Sequence, residues 1–217
     1  MGNTKRVALV TGSASGIGSA VAIRLANEGF NTIVNYSQSA ETASGTAEKC
    51  NAAGSDTLLV QCDVSNEAGV ISMLGDIEKK YGRLDVVVNN AGTSISTLAK
   101  NFDKVSEEEF DRVLAVNIKG MFLVAKHSKA LLSEGIDPCI INTASIVGLR
   151  PGPQPLPYSA SKAAVISMTQ SLSFALGPKV RVNAVAPGWM EGEWMERMLG
   201  ENYEKLMERR AKMTPLK

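Results

Sequence analysis

Short runs of β-branched and apolar residues alternate along this chain with longer amphipathic stretches. Residues 6–11, 31–36, 57–62, 84–89, 139–143 and 180–185 read as strands, and 16–29, 40–53, 66–81 and 159–177 as helices. The run Val86-Val87-Val88 is apolar at successive positions, so both of its faces must be buried, as in a parallel sheet covered by helices on both sides. Ser106, with Glu109 three residues later, forms a capping box that opens a further helix reaching to about Glu134. Strand–helix alternation of this kind predicts an α/β fold with a doubly wound parallel sheet of six strands. No internal boundary, repeat or linker interrupts it, so residues 1–217 are read as a single domain. After Pro187-Gly188 the pattern changes, and residues 190–217 read as a helical segment on the substrate side, rich in Met, Glu and Arg.

Composition narrows the functional classes. A chain of 217 residues can bury roughly 70% of its unfolded surface in one core. A net charge of +1 gives no reason to expect nucleic acid or an anionic membrane as partner. Only four apolar residues, Val7 to Val10, precede Thr11-Gly12, too few for the apolar core of a signal peptide. Three scattered cysteines and a single histidine, His127, offer no metal-ligand spacing, so no metal is expected and the chain reads as a reduced cytoplasmic protein.

Two groups of residues carry candidate chemistry. The first is Thr11-Gly12-Ser13-Ala14-Ser15-Gly16-Ile17-Gly18, between the first strand and the first helix. Glycines there allow a tight turn and close backbone approach to a pyrophosphate, and the helix start supplies free N–H groups. It is neither a Walker loop nor a nucleophile elbow, since no Gly-Lys-Ser/Thr follows and Ala14 stands at the centre of Gly12–Gly16. The second strand ends Asn35-Tyr36-Ser37, with no acid before Glu41. A carboxylate at that point holds the ribose 2′-hydroxyl of NAD and would repel a 2′-phosphate, so its lack favours NADP over NAD.

The second group is Ser145, Tyr158 and Lys162. Tyr158 and Lys162 are one helical turn apart and share a face, and Ser145 follows the fifth strand at the carboxyl edge of the sheet. Bringing a phenol from a pKa of about 10 to near 7 takes about 4 kcal/mol. A lysine ammonium about 4 Å away supplies that much at an effective dielectric of roughly 20. Such an arrangement suits proton exchange with a carbonyl oxygen, with Ser145 holding that oxygen.

Taken together, the glycine turn, Asp63-Val64, Asn89-Asn90-Ala91-Gly92, Asn117, Ser145, Tyr158-Ser-Ala-Ser-Lys162 and Pro187-Gly188 occur in an order and spacing that closely resemble the short-chain dehydrogenase/reductase family. Within it the chain is most similar to the 3-oxoacyl-(acyl-carrier-protein) reductase and carbonyl reductase branch. The resemblance implies a Rossmann fold and hydride transfer between NADP(H) and a ketone or secondary alcohol, a small molecule or one carried on a thioester. It implies Tyr158 as acid and base, and Lys162 both lowering its pKa and binding the nicotinamide ribose. It further implies Ser145 orienting the substrate carbonyl and Asn117 supporting a water-linked relay to Lys162 through a local helix irregularity. The cofactor would meet Gly12, Ser15, Gly16, Ile17, Gly18, Asn35, Tyr36, Ser37, Asp63, Val64, Asn90, Ala91, Gly92, Pro187 and Gly188. Two departures stand out. Gly192 occupies a position where relatives often carry a threonine, and no seventh strand follows 180–185. The second leaves an exposed sheet edge and points to a homodimer rather than a tetramer, with either a longer chain or a partner covering that edge. The rival reading is a dinucleotide-binding sensor or assembly module without turnover.

Overall fold

The central strands are apolar on both faces because helices cover both. In the computed structural model, which describes residues 5–215, β1 (Val7–Val10) sends Val7 and Leu9 into one core and Ala8 and Val10 into the other. β2 (Asn31–Tyr36), β3 (Leu58–Gln61), β4 (Val86–Asn89), β5 (Cys139–Thr143) and β6 (Arg181–Val185) complete a six-stranded sheet, every pairing parallel, in the order β3-β2-β1-β4-β5-β6. This order reverses direction between β1 and β4, and a crevice opens there beyond the carboxyl ends of the strands.

Helices α1 (Gly16–Asn27) and α2 (Ala40–Ala52) pack small side chains, among them Ala22, Ala26, Ala43 and Ala47, on one face. On the other lie α3 (Glu67–Tyr81), α4 (Glu107–Leu114) and α5 (Met121–Ser133), with Val70, Ile77, Val124 and Leu132 fully buried. The expected capping box is present: the Ser106 hydroxyl accepts from Glu109 N–H, and the Glu109 carboxylate accepts from Ser106 N–H. The helix predicted over 106–134 is not continuous. A π-helical stretch, Ala115–Gly120, separates α4 from α5 and carries Asn117.

Beyond β5 come a single helical turn, α6 (Ile146–Leu149), and the long α7 (Leu156–Leu176). The sequence pattern predicts neither α6 nor the first turn of α7, which it begins at Ser159. Proline fits the first turn of a helix, where its missing N–H costs nothing, so Pro157 extends α7 back past Tyr158. Residues 190–217 form α8 (Glu193–Leu199) and α9 (Tyr203–Met213), as far as they are described. Among the described residues no helix is long and apolar enough to cross a membrane.

Candidate active site

The glycine turn is built by close packing. A methyl group on Gly12 would stand 2.7 Å from Ala91 Cα, and one on Gly18 would stand 2.3 Å from the Gly12 carbonyl oxygen, so neither position admits a side chain. The Asn90 carboxamide donates to the Thr11 and Gly12 carbonyls (3.1 and 3.0 Å), while Thr11 Oγ1 accepts from Asn90 N–H and Ala91 N–H. The loop after β4 is thereby stitched to the loop after β1. On the outer side of the turn, Ser15 and Gly16 are exposed, space is open beside Gly16, and no side chain caps the first turn of α1. Free helical N–H groups facing open space on a glycine floor fit a dinucleotide pyrophosphate. Ile17 lies half-buried beside them.

Asn35 takes a different place from the one its position suggests. It is fully buried: its Oδ1 accepts from Gly12 N–H (3.1 Å) and its Nδ2 donates to the Cys62 carbonyl (3.1 Å). Its carboxamide therefore shapes the turn from beneath, and Tyr36 and exposed Ser37 are left to face a ligand at the end of β2. Asp63 pairs with Arg112 (2.9 Å) and accepts from the Ser65 amide and hydroxyl. Burial pushes its carboxyl up, but those hydrogen bonds and the guanidinium outweigh it and hold the group below its ordinary value. Val64 is buried where Gly120 lacks a side chain; a Cβ there would meet Val64 Cγ2 at 2.6 Å.

On the other side of the crevice, the side chains of Tyr158 and Ser145 stand near each other. Ser145 caps α6, and the next residue, Ile146, donates its N–H to the Pro187 carbonyl (3.1 Å), fixing Pro187-Gly188 beside the pair. Gly148 lets α6 lie directly on α7, since a Cβ there would stand 2.6 Å from the Lys162 carbonyl carbon. Lys162 is 4% exposed and donates to the Thr143 carbonyl (2.7 Å). Its Nζ lies 5.6 Å from the centroid of the Tyr158 ring, and a Cβ on Gly92 would stand 3.6 Å from the same nitrogen. The π-helical turn aims the Asn117 carboxamide at Thr93 N–H, the Thr93 carbonyl and Ser161 Oγ, with distances of 2.8–2.9 Å. That ties α7 to the loop that follows Gly92.

Burial sets the electrostatics of both Tyr158 and Lys162. Burial pushes Tyr158 above its ordinary value, with the nearby Ser145 hydroxyl acting in the opposite direction. Burial brings Lys162 down from 10.5 to about 8. Both groups have lost water, and loss of water favours the neutral form of each. Sequence reasoning also missed Trp194 on α8, whose ring meets that of Tyr158 edge-on (centroids 5.7 Å apart, planes at 76°). It missed Arg112 as the partner of Asp63. No sequence signal marks either, because both pairs form across elements. Met190, just ahead of α8, reaches α1 and lines with Ile17 and Leu25 a groove of about 340 Å³. Among the described residues no group of His, Cys, Asp and Glu could hold a metal ion.

Comparison with known proteins agrees with this fold. The sequence model of the short chain dehydrogenases matches residues 6–203. The chain is 37% identical over 211 residues to a protein described as a ketoacyl reductase of the granaticin polyketide synthase of Streptomyces violaceoruber, covering 97% of this chain and 82% of that one. It is 35% identical over 201 residues to the 3-oxoacyl-(acyl-carrier-protein) reductase FabG of Staphylococcus aureus, covering 92% and 80%. Among solved structures, NAD+-bound xylitol dehydrogenase superposes with a TM-score of 0.81 at 29% identity, covering 97% of this chain and 78% of that one.

Proposed function

Because this chain belongs to the short-chain dehydrogenase family and is an oxidoreductase with a nicotinamide dinucleotide site, we propose that it reduces a ketone to a secondary alcohol with NADPH, Tyr158 giving up the proton. The observation that carries this reading is the meeting of Ser145 and Tyr158 with buried Lys162, whose Nζ lies 5.6 Å from the Tyr158 ring centroid and beside Gly92, on the rim of the glycine turn.

The N–H groups of Ser15, Gly16, Ile17 and Gly18 would hold the pyrophosphate, with Gly12, its N–H on Asn35, giving the turn its close approach. Asp63 and Val64 would border the adenine, and Asn90, Ala91 and Gly92 the middle of the molecule. Lys162 would meet the nicotinamide ribose, and Pro187 and Gly188 the ring. When bound, the nicotinamide supplies the hydride that passes to the carbonyl carbon. Ser145 donates a hydrogen bond to the carbonyl oxygen, and Tyr158 delivers its proton to that oxygen as negative charge grows there. A phenol held above its ordinary value is fully protonated at neutral pH, the form that a proton donor needs. Oxidation of the alcohol requires the phenolate instead, so that direction gains rate as the solution becomes alkaline. Asn117 keeps α7 and the Thr93 loop in register around Lys162, and its backbone would support a water-linked path to that lysine.

NADP is favoured over NAD because neutral Tyr36 and Ser37 face the end of β2 and no carboxylate stands before Glu41. A ketone on a small molecule or on a thioester fits, in keeping with the names of the two relatives. The test is nicotinamide absorbance with a panel of ketones and β-ketoacyl thioesters. Tyr158→Phe is expected to lose a factor of about 10²–10⁴ in kcat while binding NADPH as the parent does. Equal rates in the two proteins would refute the mechanism, and tighter binding of NADH than NADPH would refute the cofactor assignment.

A further inference from the structure

The residues above account for the nucleotide and the carbonyl oxygen, but not for the body of the substrate. Exposed apolar side chains flank the Ser145–Tyr158 pair: Ile146 directly after Ser145, Leu156 two residues before Tyr158, and Trp194 against the Tyr158 ring are 38–45% exposed. Trp194 is distinct among them because it touches the phenol. Its ring is set at 76° to that of Tyr158. A stacked indole would cover the phenol; an edge-on one does not, and 38% of Trp194 stays exposed beside it, free to serve as a flat wall to a bound substrate. Residues 189–192, which join this wall to Gly188, are fixed at the far side by Met190 against α1.

A flat wall discriminates by shape. A ring laid along it buries its whole face at once and has few torsions to freeze. A flexible chain makes narrower contact and gives up rotamer freedom on binding. Resting on the reading of Tyr158 as proton donor, we propose that Trp194 is a specificity-determining residue that selects ketones whose carbonyl belongs to, or adjoins, a flat apolar ring system over ketones on linear acyl chains.

The experiment compares 2-tetralone, a fused bicyclic ketone, with S-acetoacetyl-N-acetylcysteamine, a linear one, using NADPH and the whole chain. The parent protein is expected to prefer the bicyclic ketone in kcat/KM. Trp194→Ala should lower kcat/KM for it tenfold or more, mainly through KM, and change the linear substrate by less than about twofold, since a group binding ground state and transition state alike acts on KM. Trp194→Phe, which keeps a flat ring, should restore most of the loss. NADPH binding, followed by its fluorescence, should stay the same in all three. A parallel loss on both substrates, or no change in their ratio, would overturn the proposal in favour of a packing role. If the parent turns over neither ketone, nor any of the wider panel, the reading of the site as a ketone reductase fails, and this proposal with it.

Discussion

Lys162 keeps 4% of its surface in contact with solvent and has one carbonyl, that of Thr143, to receive its protons. Lowering its value from 10.5 to about 8 corresponds to about 3 kcal/mol set against folding whenever the amine is charged. Proton binding fixes the sign. Between about 8 and 10.5 the unfolded chain holds a proton that the folded one has released, so stability rises with pH across that window, and the full penalty stands below it. Lys162→Met removes the penalty and one hydrogen bond of about 1 kcal/mol. The variant is therefore expected to be inactive yet about 2 kcal/mol more stable at pH 7, an advantage that shrinks as the solution approaches pH 10.5. Urea unfolding at several pH values measures it. A site that sacrifices stability for charge is a common sign of function. The residues of this site were legible where local geometry decides. The four-residue step from Tyr158 to Lys162 put both on one face, and Ser145 followed a recognisable strand. What could not be read was which way a side chain turns. Asn35 sits at the end of β2 where a cofactor contact is expected, yet its amide is committed to Gly12 and Cys62.

At the scale of elements, the glycines divide into those that a neighbour has claimed and those that it has not. Gly18→Ala drives a methyl group to 2.3 Å from the Gly12 carbonyl and 2.5 Å from Asn90 Nδ2, so the turn must open. A cost of about 2 kcal/mol or more is expected, together with a tenfold or greater loss of NADPH affinity. Gly45 in α2 and Gly75 in α3 have no neighbour within 4 Å of such a methyl. Alanine at either should raise stability by about 0.5–1 kcal/mol, through the helix interior alone, and leave turnover as it was. Thermal unfolding and NADPH titration of the three variants test the contrast. All six strands were visible in the hydrophobic pattern, because the central ones are buried on both faces and the edge strands β3 and β6 still set Leu58, Val60 and Val182 against a core. The break at Ala115–Gly120 was not visible in that pattern: apolar residues continue through it, and what opens the helix is the demand of Asn117 for Thr93 and Ser161. Only the family resemblance gave notice of an irregularity there.

At the scale of the whole molecule, two surfaces lack cover among the described residues. Phe110, Phe122 and Phe174, on α4, α5 and α7, are exposed to 36, 44 and 88%. Exposed aromatic residues on neighbouring helices point to a protein contact. A homodimer through these helices is expected, seen in light scattering as a mass near twice 23.0 kDa, and Phe174→Glu should return it to the monomer. The second surface is β6, the outer strand of the sheet beyond β5, where Val182 is buried while Asn183, Ala184 and Val185 are exposed.

The reversal of strand order between β1 and β4 also divides the crevice between two stretches of chain. On the proposed reading, the wall that would tell one nucleotide from another, from Gly12 through Ser37 and Asp63, is complete by Gly92. The wall that would handle the ketone, from Ser145 through Trp194, is drawn entirely from the later half of the chain. Recombination at that seam should therefore separate two traits. A chimera that takes its second portion from a relative would inherit the donor's taste in ketones and retain its own choice of coenzyme.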